Sequence, residues 1–110
     1  MPHYLIRWRM SEASVKGLIH SPQDRTERAR ALTNDFGGKL LHYFFALGEF
    51  DGLVIAEFPN NEAVVAAAIA ATSTGGFSAW ETTALLTSQE AKSAMQMAHD
   101  AKLTYKAPNA

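Results

Sequence analysis

The stretch FDGLVIAEF, residues 50–58, decides how this sequence folds. Residues 53–56 are all apolar, so apolar side chains fall on both faces of a β-strand, because successive side chains of a strand point in opposite directions. A strand with two apolar faces is typical of a central position in a sheet that is covered on both sides. The stretch therefore predicts a sheet in which this strand is internal.

Three more strands are predicted around this one, over residues 3–10, 39–47 and 77–86. All three carry aromatic residues, and the first alternates strictly, with Tyr4, Ile6 and Trp8 on one face. Gly48 and Glu49 are expected to join the second strand to the central one as a short β-hairpin.

Helix-start signals lie between the strands. Ser21 followed by Pro22 predicts a helix that ends at Gly37, after a short helical connection that ends near Gly17. Asn60 begins another helix. The side chains expected to face the sheet from it are Val64, Val65, Ala68, Ile69 and Thr72.

A last helix is predicted after the fourth strand. Thr87 and Glu90 have the spacing of a capping box, in which each side chain satisfies a backbone N–H of the other residue. This helix has a narrow, weakly apolar stripe made of Ala91, Ala94, Met95 and Ala98. We expect a domain over residues 1–87, followed by a C-terminal helix and tail over residues 88–110.

The order of elements, β-α-β-β-α-β with an added C-terminal helix, is that of the ferredoxin-like α+β fold with a four-stranded antiparallel sheet. Two helices can cover only one face of such a sheet. The other face carries either Leu53 and Ile55 or Val54 and Ala56. An apolar face with no cover in its own chain predicts a partner chain. Two such sheets packed face to face would form a dimeric α+β barrel.

Short segments in unchanged order over roughly residues 1–90 support a more specific assignment. Residues 48–51, Gly-Glu-Phe-Asp, resemble the Gly-x-Tyr-Asp signature of the GYD-domain family, with Phe50 in place of tyrosine. The other matching segments are residues 1–4, 21–22, 37–39, 57–60, 81–82 and Thr87. The resemblance implies the dimeric α+β barrel and homo-oligomeric assembly. It implies no catalytic residue set.

Composition narrows the classes of function. Ten basic and eleven acidic residues give a net charge of -1, so no basic excess is available for nucleic acid. The chain has no cysteine, and its four histidines have no paired spacing, so we expect no metal site. We also expect no cofactor. No secretory signal or membrane span is visible, which predicts a cytoplasmic protein.

Two residues are weak catalytic candidates. His42, beside Tyr43 in the second strand, could act as a proton shuttle, or it could be an edge histidine with no chemical role. Asp51 could act as a base at the mouth of the barrel. Alternatively, its carboxylate accepts backbone N–H groups of the Gly48-Glu49 turn.

Five residues are candidates for ligand binding: Arg7, Arg9, His42, Trp8 and Tyr43. Two guanidinium groups on one face of a central strand could hold an anionic ligand. They could equally pair with Glu57 or Glu81 on neighbouring strands. Trp8 and Tyr43 could belong to the site or to the core.

Three hypotheses about function remain at this point. The first is a homo-oligomeric domain that binds a small, partly apolar or anionic ligand inside the barrel. The second is a small cofactor-independent enzyme, similar to a monooxygenase or an isomerase, that uses the same pocket. The third is a purely structural assembly unit.

Overall fold

The computed structural model describes residues 1–109; Ala110, the last residue of the predicted tail, lies outside the described residues. The strands are β1 His3–Met10, β2 Lys39–Phe45, β3 Gly52–Glu57 and β4 Phe77–Leu85. The helices are α1 Glu12–His20, α2 Thr26–Asp35, α3 Asn61–Thr72 and α4 Ser88–Asp100.

The four strands form one antiparallel sheet in the order β2-β3-β1-β4. The central position predicted for β3 is confirmed, because it pairs with β2 on one side and with β1 on the other. This element order and strand order are those of the ferredoxin-like α+β fold. The predicted fold class is therefore correct.

One face of the sheet, here called the inner face, carries the core. Tyr4, Ile6 and Trp8 of β1 are buried there beside Val54 and Ala56 of β3. The helices close over them, with α3 contributing two more buried side chains, Val64 and Ala67, to the same cluster. The sequence left open which residues of β3 face the helices, and the structure places Val54 and Ala56 there.

The opposite face, here called the outer face, has no covering helix within residues 1–109. It presents Leu5 and Arg7 of β1 beside Leu53 and Ile55 of β3, all of them partly exposed. The cross-strand register places these apolar side chains together, with Leu5 opposite Ile55. The apolar outer face that the sequence predicted is therefore present.

The predicted start of the second helix is wrong. The N–H of Ser21 donates to the carbonyl of Gly17, so Ser21 ends α1 instead of beginning α2. Asp24 then accepts hydrogen bonds from the backbone and the hydroxyl of Thr26, and this local turn delays the helix to Thr26.

The buried stripe of α3 also differs from the prediction. Val64, Ala67 and Ala71 face the sheet, whereas Val65 and Ile69 are 52% and 63% exposed. The small side chains of Ala67 and Ala71 allow the helix axis to lie close to the strands. The predicted stripe contains the larger side chains of Val65 and Ile69 and would hold the helix farther away. An apolar stripe of α3 is consequently left at the surface.

The connection between β2 and β3 spans residues 46–51 and is longer than the predicted hairpin turn. Its end is held by backbone hydrogen bonds of Asp51, which donates to the carbonyl of Trp8 and accepts from Ala46. The bond from Ala46 continues the β2–β3 pairing by one residue, and the bond to Trp8 continues the β1–β3 pairing.

The predicted capping box of α4 is confirmed, with both reciprocal hydrogen bonds between Thr87 and Glu90 present. No residue of α4 is buried. The described chain measures 60 Å along its longest axis and has a radius of gyration of 18.0 Å. A compact domain of this length would have about 13 Å. The helix therefore projects from the body.

Candidate functional site

A cleft of about 570 Å³ opens between the inner face of the sheet and the helices α1, α2 and α3. Ligand sites in proteins are typically concave, mostly apolar and of about 300–1,000 Å³. Aromatic side chains of three strands line the sheet side of the cleft: Trp8, Tyr43, Phe45, Phe77 and Trp80. Arg25 and Arg28 line it from the start of α2.

The aromatic side chains form one continuous wall. Trp8 and Trp80 lie opposite each other in the β1–β4 register, and their rings stack with centroids 6.0 Å apart. Tyr43 packs at 5.5 Å from Trp8, and Phe77 meets Trp80 edge to face at 5.1 Å. Because these residues come from paired strands, the sheet itself fixes the spacing of the rings. A rigid wall of this kind suits a flat or apolar ligand.

Glycine makes room for this wall. Gly52 lies opposite Trp8 in the β1–β3 register, and the indole ring occupies the space that a side chain at residue 52 would fill. A Cβ atom there would lie only 2.5 Å from Cζ2 of Trp8.

Two of the aromatic side chains that line the cleft carry polar groups, Trp80 and Tyr43. The indole N–H of Trp80 is buried and has no hydrogen-bond partner among residues 1–109. Burial raises the pKa of Tyr43, an effect that the nearby Arg25 partly opposes and Asp24 reinforces. The phenol is therefore protonated at neutral pH and can donate a hydrogen bond.

The two arginines give the cleft a positive end. Neither Arg25 nor Arg28 has a carboxylate within ion-pair distance in the described part of the chain. Arg25 donates one hydrogen bond, to the side-chain amide oxygen of Gln23 at 3.0 Å. Unpaired guanidinium groups beside an apolar cavity favour a ligand with an anionic group.

The cleft offers little for acid–base catalysis. Among its described lining residues there is no carboxylate, histidine or lysine. A general base near neutral pH normally comes from one of those side chains.

Arg7 and Arg9 lie on the outer face, where they form a second cluster. Arg7 pairs with Glu81, and Arg9 pairs with Glu49 at 3.3 Å. Phe50 lies beneath both guanidinium groups, with its ring centroid 4.4 Å from Cζ of Arg7 and 5.8 Å from Cζ of Arg9. The ion pair with Glu81 on a neighbouring strand, one of the alternatives left open by the sequence, is present for Arg7, whereas Arg9 pairs with Glu49 in the β2–β3 connection.

A hollow of about 210 Å³ adjoins this cluster at the end of the β2–β3 connection. Arg7, Phe50 and Leu53 line it. The Nε of Arg7 is buried there without a hydrogen-bond partner among the described residues. The hollow is much smaller than the cleft and lies on the opposite side of the sheet.

His42 is exposed on the outer face and stacks on Phe44, with ring centroids 6.1 Å apart. A bulge between Leu40 and His42 shifts the register, so that His42 lies opposite Ile55. No cluster of three or more potential metal ligands occurs within residues 1–109. Nothing in the described part of the chain gives His42 an acid or base partner.

Asp51 holds two strands together. Its Oδ2 accepts a hydrogen bond from the backbone N–H of Met10 at 2.8 Å. This bond lies where the β1–β4 register shifts between Arg9 and Met10. The carboxylate of Asp51 thus accepts a backbone N–H of β1 and not, as the sequence predicted, those of the Gly48-Glu49 turn.

The sheet separates the five predicted ligand-binding residues into two groups. Trp8 and Tyr43 meet in the cleft, whereas Arg7, Arg9 and His42 lie on the outer face. The list of five candidates did not include the cleft residues on α2. The sequence feature that could have identified them is the helical spacing of residues 25, 28 and 32, because it continues the apolar stripe of that helix.

A ferredoxin-like α+β domain with a ligand-sized, aromatic cleft is the class that this fold and site define. Residues 4–95 match the model of the GYD domain, so the chain belongs to the GYD-domain family, as its sequence segments predicted. A comparison with the curated proteins finds none that matches. No helix within residues 1–109 is long and apolar enough to cross a membrane.

Two solved structures show the same fold at low sequence identity. MtbAldR matches with a TM-score of 0.58 and 15% identity, over 78% of this chain and 53% of its own. A transcriptional regulator from Neisseria meningitidis, solved as a complex with L-Met, matches with a TM-score of 0.53 and 19% identity, over 79% of this chain and 51% of its own. The present chain thus spans about half the length of these two proteins.

Proposed function

We propose that this GYD-domain protein is a homodimeric small-molecule-binding domain. The ligand we infer has a flat or apolar body that lies against Trp8 and Trp80 and an anionic group that meets Arg25 and Arg28. The observation that carries the proposal is the cleft of about 570 Å³, which combines an aromatic wall with two arginines that lack carboxylate partners within residues 1–109.

The chemistry of the cleft supports this ligand class. Stacking on aromatic rings favours planar groups, and a guanidinium group binds carboxylates through paired hydrogen bonds. The protonated phenol of Tyr43 adds one hydrogen-bond donor at the wall of the cleft.

The fold is compatible with such a role. The regulator from Neisseria meningitidis was solved with L-Met, a molecule that has an apolar side chain and a carboxylate. At 19% identity this likeness supports the fold alone, so the ligand class proposed here depends on the cleft residues of this chain.

The homodimer is proposed from the outer face. Leu5, Leu53 and Ile55 form a partly exposed apolar centre, and ion pairs of Arg7 and Arg9 lie beside it. Apolar sheet faces of soluble proteins are normally covered. A second copy placed face to face would cover both outer faces at once.

Intrinsic fluorescence gives a direct test of ligand binding, because both tryptophans of the chain line the cleft. Phenylacetate serves as the anionic probe and phenylacetamide as its neutral counterpart. We expect phenylacetate to change the tryptophan emission saturably and to raise the Tm, with a much weaker response to phenylacetamide.

Arginine variants locate the site. Arg28→Gln should weaken phenylacetate binding at least fivefold. Arg30→Gln is the matched control on the same helix, since Arg30 pairs with Glu27 and does not line the cleft. Equal affinity in both variants, or no response of the parent to a panel of small acids, would refute a ligand site in the cleft.

A further inference from the structure

The polar side chains that line the cleft are rich in hydrogen-bond donors and poor in acceptors. The guanidinium groups of Arg25 and Arg28 can only donate, and the protonated phenol of Tyr43 adds another donor. No aspartate or glutamate occurs among the described lining residues. Apart from the phenol, the side-chain oxygens that could accept a hydrogen bond there belong to Ser14, Gln23, Thr33 and Thr74.

The three aliphatic hydroxyl groups of the lining are already used by their own chain. Ser14, Thr33 and Thr74 each donate to a backbone carbonyl, at 2.7–2.8 Å. The oxygen of Ser14 also accepts a hydrogen bond from the hydroxyl of Ser11 at 3.2 Å. The oxygen of Thr74 accepts from the backbone N–H of Gly76 at the same distance. These hydroxyl groups hold the wall of the cleft together and leave little acceptor capacity for a ligand.

The side-chain amide of Gln23 is engaged at both of its polar atoms. Its Nε2 donates to the carbonyl of Ser21 at 3.2 Å, and its Oε1 accepts from the guanidinium of Arg25 at 3.0 Å. The neighbouring carboxylate of Asp24 accepts from the N–H and the hydroxyl of Thr26 and does not line the cleft. Gln23 thus holds Arg25 in place without neutralising its charge.

This distribution of donors and acceptors distinguishes between two kinds of carboxylic acid. A simple carboxylate finds only donors and positive charge at the arginine end of the cleft. An α-amino acid carries an ammonium group next to its carboxylate, so the ammonium would enter the same end. There it would lie near guanidinium groups of like charge and find no free carboxylate to accept its hydrogen bonds. Burying a charge without a partner is costly, and proteins use this cost to reject wrong ligands.

We propose that the cleft selects carboxylic acids that lack an ammonium group, and that Gln23 determines this selectivity. The inference rests on the small-molecule site proposed above and narrows its ligand class, since amino acids are rejected and their counterparts without the amino group bind. A glutamate at residue 23 would give Arg25 a counter-ion and would offer an acceptor to a ligand ammonium. Glutamine does neither.

Three compounds with the same phenyl ring, chain length and carboxylate test the selectivity. They are 3-phenylpropionate, L-phenyllactate and L-phenylalanine, which carry hydrogen, a hydroxyl group and an ammonium group on the carbon next to the carboxylate. The hydroxyl group is similar to the ammonium group in size but has no charge. In titrations followed by tryptophan fluorescence, we expect L-phenylalanine to bind at least about tenfold more weakly than L-phenyllactate.

Variants of Gln23 test its role through the ratio of the two dissociation constants, which a general loss of stability would not change. In Gln23→Glu the ratio should fall below about threefold, because the new carboxylate can accept from the ammonium group. Gln23→Met removes the amide and adds no charge, so it should keep the ratio of the parent. Gln89→Glu makes the same charge change on α4, outside the lining of the cleft, and should also keep it.

The outcomes separate failure of the selectivity from failure of the site. Equal affinities of the parent for L-phenyllactate and L-phenylalanine would overturn the selectivity and leave the cleft as a ligand site. A ratio that stays unchanged in Gln23→Glu, or that falls equally in Gln23→Met, would overturn the role of Gln23. A parent that binds none of the three compounds, 3-phenylpropionate included, would refute the ligand site and the selectivity together.

Discussion

Trp8 stacks directly on the backbone of Gly52, its partner across the β1–β3 ladder, and a Cβ at residue 52 would lie 2.5 Å from the indole ring. The cleft wall depends on this close approach, because Trp8 also contacts Tyr43 and Trp80. A glycine at the start of β3 thus determines where the aromatic surface lies.

Gly52→Ala should destabilise the protein and disturb the cleft. The methyl group must displace the indole, and overpacking of this kind typically costs about 1–3 kcal/mol. Denaturant unfolding measures the loss of free energy, and tryptophan emission reports the movement of Trp8. Gly17→Ala is the control, since a Cβ there meets nothing within 4 Å and alanine favours a helix. Equal stability of both variants would contradict the steric role of Gly52.

Asp51→Ala should destabilise the fold by about 1.5–3 kcal/mol, the range for hydrogen bonds to charged groups. The variant leaves the backbone N–H of Met10 without its acceptor at the register shift between β1 and β4. Urea unfolding gives the value. Asp35→Ala, an exposed change at the end of α2, should stay within about 0.5 kcal/mol of the parent. If Asp51→Ala behaves like that control, the carboxylate does not hold β1.

Local sequence patterns were sufficient for several elements. The alternation of β1 and the capping box of α4 were predicted residue by residue, because each depends on neighbours in the chain. The central position of β3 followed from its two apolar faces. Because both faces of β3 are apolar, the sequence did not show which face points towards the core. Val54 and Ile55 are both apolar, and only the position of the helices distinguishes them.

The site was harder to predict because it depends on packing at long range. Arg25 and Arg28 enter the cleft only through the position of α2 against β2, which no local pattern encodes. The bulge in β2 determines the face on which His42 lies. Ser21 was assigned to the wrong helix, because its use by α1 depends on how far that helix continues.

Val54→Asp and Ile55→Asp are adjacent changes with different expected outcomes. Val54 is 6% exposed in the core, so a charge there should cost about 3 kcal/mol or more and unfold much of the protein. Ile55 lies on the outer face, so Ile55→Asp should leave the fold intact and give a monomer. Circular dichroism measures whether each variant is folded, and sedimentation measures whether it is a monomer or a dimer. A folded dimer of Ile55→Asp would refute the outer face as the interface.

The capping box should make α4 sensitive to acid. Hydrogen bonds from the backbone and the side chain of Thr87 lower the pKa of Glu90 from its ordinary value of 4.5, and the charges of His3 and the N-terminus act in the same direction. A lowered pKa in the folded state means that this contribution is complete above about pH 4.5 and is lost as the pH falls through the lower folded value.

Amide exchange of α4 as a function of pH, corrected for the intrinsic rate, measures this effect. We expect protection of the first turn to fall below pH 4.5 in the parent. Glu90→Gln, which can still accept a hydrogen bond, should show a flatter profile over the same range. An identical pH dependence in both proteins would rule out Glu90 as the group responsible.

Replacing both Arg7 and Arg9 with methionine separates a structural role from ligand binding. Both guanidinium groups stack near Phe50 and pair with glutamates, and such partly exposed pairs and cation–π contacts are worth up to about 1 kcal/mol each. We expect lower stability of the double variant and a weaker dimer, because Glu49 and Glu81 lose their partners beside the outer face. Arg30→Met, which breaks one exposed ion pair within α2, should change stability and dimerisation little.

Phenylacetate binding should be the same in the parent and in both variants, since the cleft lies on the other side of the sheet from Arg7 and Arg9. Loss of that binding in the double variant alone would place the ligand on the outer face, inside the barrel that the sequence first suggested.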